Sequence, residues 1–257
     1  MGGISLSSSL VMAKGLQYDR RYMLVDAGGV FMSQRKLPTL ALFKVTLAAG
    51  GFQVTYGTDS ILLPWLPEIS NNGLEVSIWE DTVTAHPVSD DVNQWFSQRL
   101  GTACRLVWFP EENARAVDRQ YAANGEQVAL ADGYPFLIIG QSSLQALNSR
   151  MAVPVPMNRF RPNFVFEGGA PFEEDGWREF SIGNNRFTGL KPCGRCVITT
   201  INQDTAQRGT EPLHTLSQFR KWGSSVQFGL NLVAVDFFKV NVGQKIEVSS
   251  FQTTLEN

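Results

Sequence analysis

Hydrophobic residues in the first hundred positions stand in short runs, which Gly, Pro and acidic pairs separate. Runs of this length, rich in β-branched and aromatic residues, are typical of β-strands. Gly28 and Gly29 lie between two such runs, which predicts a hairpin over 22–33. Further strands are expected at 42–47, 52–56, 74–79 and 82–85. Short strands at this spacing favour a barrel or a sandwich.

One helix interrupts this series of strands. Its apolar positions repeat at helical spacing and share one face: Val92, Trp95, Phe96 and Leu100. Ser89 precedes them as a candidate N-cap, and Asp90 and Asp91 occupy the first turn, where the helix dipole favours anions. Gly101 is expected to end the helix, and a strand at 105–109 follows.

Residues 110–132 are polar and weakly periodic, and we expect a linker or a long functional loop there. This divides the chain into a first domain at 1–109 and a second at 133–250. Beyond the loop, the pattern predicts strands at 137–139, 163–166, 180–182, 186–188, 196–201, 232–238 and 246–248. A second helix is expected to be capped by Ser142 or Ser143. The remaining expectations are an acidic turn at 173–176, a short helix at 216–222 and a polar tail at 248–257.

Composition narrows the classes of protein. The 257 residues allow one large or two small domains, and 43% hydrophobic with 18% charged residues is an ordinary folded composition. A net charge of -2 excludes a broadly basic nucleic-acid coat, and two His exclude a His-rich metal site. Three Cys are too few for a disulfide framework, which predicts a reducing, cytoplasmic location. No run approaches the ~18 apolar residues of a membrane span, and residues 1–9 do not resemble a signal peptide.

Charge is unevenly distributed although its total is balanced. Two windows, 133–166 and 180–203, contain no Asp or Glu but hold six cations: Arg150, Arg159, Arg161, Arg186, Lys191 and Arg195. Guanidinium groups suit phosphate because they donate parallel hydrogen bonds and stay charged when buried. The windows therefore predict a local anion site, against the alternative of solvated surface charges that contribute little.

The sequence Lys-Pro-Cys-Gly-Arg-Cys at 191–196 leaves several interpretations open. A zinc half-site needs two more ligands, and the remaining Cys and two His stand at unsuitable spacings. A redox dithiol is expected to open a helix, whereas a β-branched run here predicts a strand. A third interpretation is one thiolate at the start of that strand, held by Lys191 and Arg195 and bound to a soft metal. Two small buried residues are the plain structural alternative.

Eight short blocks of residues indicate the class of protein more clearly than the spacing of the cysteines does. They are GLQYDRRYMLV at 15–25, SQRKLP at 33–38, DGYP at 132–135, FRPN at 160–163, EDGW at 174–177, PCGRCVITT at 192–200, EPLHTL at 211–216 and FGLN at 228–231. In this order the set resembles the MOSC proteins, named for the C-terminal domain of molybdenum cofactor sulfurase. The resemblance is greatest to the branch that contains the mitochondrial amidoxime-reducing component and its bacterial relatives.

The resemblance implies a mainly β protein with a few short helices, in which a MOSC N-terminal β-barrel-like domain precedes a MOSC β-barrel domain. It also implies a molybdenum–molybdopterin cofactor. The metal ligand and catalytic residue would be Cys196. The cofactor-binding residues implied by the matching blocks are Arg20, Gly133, Tyr134, Arg161, Asn163, Arg195 and Asn231.

For activity, the resemblance implies two-electron reduction, and hence detoxification, of N-hydroxylated compounds such as hydroxylamines, amidoximes and N-hydroxylated bases. Alternatives are a sulfur-carrying or cofactor-binding module and a degenerate barrel without catalysis. The Tyr-Pro-x-Lys-Ser pattern that usually ends the family's first strand is absent, so we expect that the chain is truncated, that its start is misassigned, or that the site is incomplete. No Cys follows Cys196, so no Cys₄ [2Fe–2S] cluster is expected and an electron-donor protein of ferredoxin or flavin type must act separately. Neither nucleic acid nor a membrane is an expected partner.

Overall fold

The computed structural model describes residues 1–68, 72–122 and 124–252. Within these ranges the chain forms three α-helices, α1 (Asp90–Leu100), α2 (Gln141–Asn148) and α3 (Leu213–Phe219). The strands are β1 (Ser8–Met12), β2 (Gly15–Leu16), β3 (Tyr22–Asp26), β4 (Lys44–Ala48), β5 (Gly51–Tyr56), β6 (Asp59–Pro64), β7 (Leu74–Ile78), β8 (Asp81–Pro87), β9 (Cys104–Trp108), β10 (Phe136–Gly140), β11 (Phe164–Phe166), β12 (Trp177–Ile182), β13 (Asn185–Arg195), β14 (Lys221–Trp222), β15 (Ser225–Ala234), β16 (Lys239–Asn241) and β17 (Ile246–Phe251). The expected mainly β class with a few short helices is confirmed.

The first half of the chain builds two small antiparallel sheets, β3-β9-β8-β7 and β4-β5-β6. Helix α1 packs on them through Val92 and Phe96, which are buried. Its termini form as predicted: the Ser89 hydroxyl accepts from the Val92 amide at 3.2 Å, and Gly101 ends the helix at φ 66°. These elements enclose a core around Phe43 and Leu106.

The second half forms one curled sheet in the order β11-β10-β15-β13-β12-β17, with β14 at the side of β15. Strands β10 and β11 run parallel, and the other pairs are antiparallel. The sheet closes over an aromatic core that includes Phe136, Phe180 and Phe187. Register shifts in β13 between Pro192 and Gly194 bend the strand just before its end.

The two halves exchange segments. Strand β1 pairs with β16, and Val11 of β1 is buried in the core of the second half. In the other direction, Ala129 and Leu130 pack in a core of the first half beside Met23. Residues 110–132 contain no regular strand or helix in the part that is described, yet several of their side chains are buried. No helix within the described ranges is long and apolar enough to cross a bilayer.

Several element predictions are wrong in detail. The return arm of the hairpin at 22–33 makes a single bridge, Val25 to Phe31, because β3 takes β9 as its full partner. Neither Ser142 nor Ser143 caps α2; the Ser143 hydroxyl donates to Glu174 instead. The predicted third helix starts and ends earlier, since Lys221–Trp222 is a strand.

The predicted strand at 196–201 is a 3-10 turn over Val197–Thr200. The Thr199 and Thr200 hydroxyls donate to carbonyls three residues earlier, at 3.0 and 2.8 Å, so local side-chain bonds replace a strand ladder. At the end of the chain, β17 runs to Phe251 where a polar tail was expected, and residues 253–257 lie outside the described residues. The strand expected at 232–238 ends at Ala234.

Candidate functional site

The end of β13 brings an arginine and two thiols together. The Arg195 guanidinium donates to the Cys193 sulfur at 3.0 Å and to the Phe160 carbonyl at 2.6 Å. Its third nitrogen, Nε, is buried and has no partner within the described residues. Cys196 follows directly and is partly exposed, and its carbonyl accepts the Thr199 amide at 3.1 Å. The 3-10 turn thereby fixes the backbone at Cys196 and leaves its thiol free to bind.

A second arginine pair lies against this strand end. Arg20 donates from Nη2 to the Arg161 carbonyl at 3.2 Å and also pairs with the Asp19 carboxylate. Asp19 accepts the Asn163 side-chain amide at 2.8 Å as well, and Asn163 accepts from the Leu137 amide at 3.1 Å. Arg20 and Arg161 both have left-handed backbone conformations, at φ 51° and 56°. Such strain is held only where surrounding bonds fix it, and it concentrates at functional positions.

The pKa of Arg161 reflects the positive charge around it. Burial first, and then the charges of Arg20 and Arg195, lower the pKa of its guanidinium to about 10, while Asp19 and Asp132 oppose them. Arg20 and Arg195 are therefore both close enough to repel Arg161. A bound anion would relieve both the burial penalty and the repulsion, which makes the cluster a candidate anion site.

The next group surrounds Lys191. Its ammonium lies 4.1 Å from the ring centroid of Tyr121 and 5.4 Å from that of Tyr134. Burial raises the pKa of the Tyr134 hydroxyl, as do the negative charges of Asp118, Tyr121 and Cys193. Since Cys193 acts on Tyr134, this aromatic cage adjoins the thiols. Gly133 precedes Tyr134, and a Cβ built there would meet nothing within 4 Å, so open space lies beside it.

Asn231 lies opposite Lys191 in the β13–β15 pair. It is only 7% exposed, and it carries an amide on the strand next to Lys191.

The structure thus connects Arg20 with Arg161 directly, Asn163 through Asp19 and Arg195 through the Phe160 carbonyl. Cys196, Tyr134, Gly133 and Asn231 join them through neighbouring residues. Two cations of the acid-free windows lie elsewhere: Arg150 donates to the Ala146 carbonyl of α2, and exposed Arg186 pairs with Asp236 at 2.7 Å. Sequence reasoning assigned no role to Asp19, although it stands in the first matching block. It also left out the Phe160 carbonyl, for which no sequence signal exists.

The sequence analysis names Arg159 only as one of the cations in the acid-free window 133–166. It donates to the Thr199 carbonyl at 3.3 Å, which places it against the turn that follows Cys196. Burial lowers the pKa of Arg159, and Asp204 opposes this. It is a further cation near the thiol.

Comparison with known proteins identifies the family of this chain. The family model of the MOSC domain matches residues 125–247, and that of the MOSC N-terminal beta barrel domain matches residues 1–103. Mouse mitochondrial amidoxime-reducing component 1 is 32% identical over 235 residues, which cover 88% of this chain and 69% of that protein. The chain belongs to the MOSC family. The bovine mitochondrial amidoxime reducing component 2 is 33% identical over 234 residues, 85% of this chain and 68% of that protein.

A second kind of MOSC relative is much longer. Rice molybdenum cofactor sulfurase is 30% identical over 251 residues, which cover 90% of this chain but 30% of the sulfurase. The chain therefore spans less than a third of that relative. Both kinds of relative are enzymes, and the name of the second kind refers to the molybdenum cofactor.

The donor set of this MOSC site suits a ligand that is anionic and carries a soft metal. A thiol binds soft metals, three guanidinium groups bind phosphate in bidentate fashion, and amides supply hydrogen bonds. The buried Nε of Arg195, which has no partner within the described residues, is a polar atom that such a ligand would satisfy. The residues present fit a molybdenum–pterin group with a terminal phosphate.

Proposed function

We propose that this MOSC protein reduces N-hydroxylated compounds with a molybdenum–molybdopterin cofactor. The observation that carries the proposal is the free thiol of Cys196, which directly follows Arg195 at the end of β13, where the charges of Arg20 and Arg195 both act on buried Arg161. The names of the relatives support it, because they describe amidoxime-reducing and molybdenum cofactor proteins.

In this proposal each residue has one task. Cys196 is the metal ligand and the catalytic residue, while Arg20, Arg161 and Arg195 hold the phosphate. Asn163 fixes Arg20 through Asp19, and Gly133, Tyr134 and Asn231 contact the pterin. When bound, the cofactor supplies two-electron redox chemistry at a metal with sulfur ligands. The overall change is R–NHOH + 2e⁻ + 2H⁺ → R–NH₂ + H₂O, which breaks the N–O bond.

The protein's own contribution is positioning and charge. Arg195 is anchored at the Phe160 carbonyl, so its cationic group stays beside the Cys193 sulfur and directly precedes Cys196 in the chain. The electrons come from a separate donor protein of ferredoxin or flavin type. A cytoplasmic location belongs to the same proposal, because a reducing compartment keeps the Cys196 thiol available.

The matched pair Cys196→Ser and Cys193→Ser tests the proposal. Both thiols lie beside Arg195, but only Cys196 is assigned to the metal. Expressed in a host that makes molybdopterin, Cys196→Ser is expected to lose molybdenum by ~10-fold or more, as removal of a direct ligand does, while Cys193→Ser keeps it. Elemental analysis gives the metal content, and oxidation of a reduced viologen dye by an aryl amidoxime gives the activity. Equal molybdenum in both variants would falsify the assignment.

Sulfur carriage is the second candidate, and the free, partly exposed thiol of Cys196 beside a cation favours it. In that case Cys196 holds a persulfide. Mass spectrometry of metal-free protein separates the candidates, since one extra sulfur on Cys196, with no amidoxime reduction by the loaded protein, supports carriage. Protein that gains neither molybdenum, pterin nor extra sulfur would be a barrel without catalysis.

A further inference from the structure

A pocket of about 350 Å³ lies beside the candidate site, lined by Arg35, Trp79, Glu80, Asp81, Arg115 and Asp132. Backbone geometry links the two places: Leu130, two residues before Asp132, donates its amide to the Arg20 carbonyl at 3.0 Å. Asp132 also precedes Gly133 and Tyr134, and two residues span at most about 7.6 Å between Cα atoms. The pocket therefore adjoins the open space beside Gly133.

Some of the lining groups are already satisfied within the protein. Buried Arg115 donates to Asp81 at 2.7 Å, to the Ala129 carbonyl at 2.9 Å and to the Asp132 carbonyl at 3.0 Å. Arg35 and Glu80 have no ion-pair partner within the described residues, and one oxygen of the Asp132 carboxylate is unused. Within the described residues, the pocket thus offers one cation without an ion-pair partner, Arg35, and acceptor oxygens on Glu80 and Asp132.

Trp79 forms one wall of the pocket, and its backbone has an uncommon conformation. It occupies the two-residue turn between β7 and β8 at φ 55°, a left-handed value that favours Gly or Asn. Three contacts hold the indole: Nε1 donates to Asp132 at 3.2 Å, the Phe31 ring centroid lies at 5.4 Å, and the Arg35 guanidinium lies 4.4 Å from the indole centroid. It remains 39% exposed, so this arrangement presents an aromatic surface to the pocket and does not fill a core.

We propose that this pocket is the substrate subsite that selects flat, conjugated N-hydroxyl compounds bearing an N–H donor. The conjugated part lies against the Trp79–Arg35 pair, and the amino group donates to the unused oxygen of Asp132. This inference rests on the proposed reductase function and adds a specificity to it. Aryl amidoximes meet both requirements, whereas hydroxylamine has no conjugated part.

The decisive experiment measures binding without turnover. Benzamidoxime is titrated calorimetrically into the cofactor-loaded protein in the absence of a reductant, for wild type, Trp79→Gly and Trp79→Phe. Glycine accepts the left-handed conformation and removes the ring, while phenylalanine keeps an aromatic surface. Loss of stacking is expected to weaken binding ~10-fold in Trp79→Gly, which corresponds to ~1.4 kcal/mol, and ~3-fold or less in Trp79→Phe. An unchanged dissociation constant in Trp79→Gly overturns the subsite.

A kinetic comparison separates this inference from the reductase function. With a reduced viologen dye as donor, the ratio of the KM for benzamidoxime to the KM for hydroxylamine is expected to rise ~10-fold in Trp79→Gly. An equal change in both constants contradicts the subsite. Arg35→Gln gives a second test at an exposed position, with weaker benzamidoxime binding as the supporting result. If wild type binds benzamidoxime through Trp79 but reduces neither compound, the reductase function fails and the subsite stands.

Discussion

Arg161 is a buried cation that donates to a neutral acceptor, the Met1 carbonyl, at 2.8 Å. Its guanidinium is charged at neutral pH, since its pKa of about 10 remains well above 7. The folded protein therefore bears the burial and repulsion penalty throughout the neutral range. Because the folded pKa is below the unfolded value, stability is expected to rise only above pH ~10, where the folded form releases its proton first.

Phosphate is expected to compensate this penalty in protein without cofactor. The melting temperature should rise with added phosphate in wild type, because the anion binds the folded state alone. Arg161→Gln removes one cation and should lose most of that rise, with a melting temperature in phosphate-free buffer that is no lower than wild type. Arg186→Gln is the matched control, since Arg186 is exposed and paired with Asp236. Differential scanning fluorimetry measures both, and an equal phosphate effect in Arg161→Gln and wild type would contradict the anion site.

For single residues, the sequence predicted a set of cations that could form an anion site, but not which members of the set lie together. Arg161 and Arg195 stand in acid-free windows together with Arg150 and Arg186, and nothing in the spacing distinguishes the four. The distinction comes from tertiary contacts, because Arg195 reaches the Phe160 carbonyl while Arg186 meets an aspartate 50 residues away. The roles of the candidate site residues came only from the resemblance of the eight blocks to the MOSC proteins, and these roles stay predictions.

The turn at Glu173–Gly176 joins two secondary-structure elements through one buried carboxylate. Glu174 is 0% exposed and accepts from the Gly140 amide at 3.1 Å and the Ser143 hydroxyl at 2.9 Å, both at the start of α2. Glu174 takes the place of the serine cap that the sequence predicted. Single-sequence patterns missed it because Glu173, Glu174 and Asp175 look alike in an acidic run.

Burial raises the pKa of Glu174, which sets a sign for its pH dependence. The folded state holds its proton more tightly than the unfolded state, so this residue makes stability fall as pH rises from the unfolded pKa, about 4.3, through the folded one. Glu174→Gln should remove that part of the slope in urea unfolding at several pH values. Glu174→Ala should remove the same slope and, at acid pH, also lower the free energy of unfolding by about 2 kcal/mol, since it leaves two buried donors unpaired.

Glu173→Gln is the control for this series, because Glu173 is partly exposed and accepts from the Ala170 amide at 2.8 Å. A slope in Glu174→Gln as steep as that of wild type would show that other groups cause the pH dependence.

For the whole molecule, the exchange of segments makes the two halves depend on each other. Val11 completes the second core, and Ala129 and Leu130 complete a core of the first half. The order of sequence blocks predicted the family and the two barrel-like parts. The β1–β16 pairing could not be predicted, because a two-sided exchange leaves no local pattern in hydrophobic spacing. The linker at 110–132 stays a prediction.

A core substitution in β1 should therefore destabilise both halves together. Val11→Ala removes buried volume and is expected to lower the free energy of unfolding by about 2 kcal/mol. Tryptophan fluorescence reports mainly the first half, where Trp65, Trp79, Trp95 and Trp108 lie, and far-UV circular dichroism reports the whole chain. Both signals should shift to the same lower urea midpoint. Val242→Ala, at a position 78% exposed, is the control; a shift confined to one signal would show two independent units.

The same strand also constrains the order of events during synthesis. Ser8 pairs with Asn241, so β1 leaves the ribosome long before its partner exists. At ordinary translation speeds, the wait is roughly 10–50 s. Throughout that interval the apolar side chain of Val11 and an unpaired strand edge are available to other chains, and both invite aggregation. A holding chaperone that covers the nascent first strand should therefore raise the yield of folded protein more than one that acts after release.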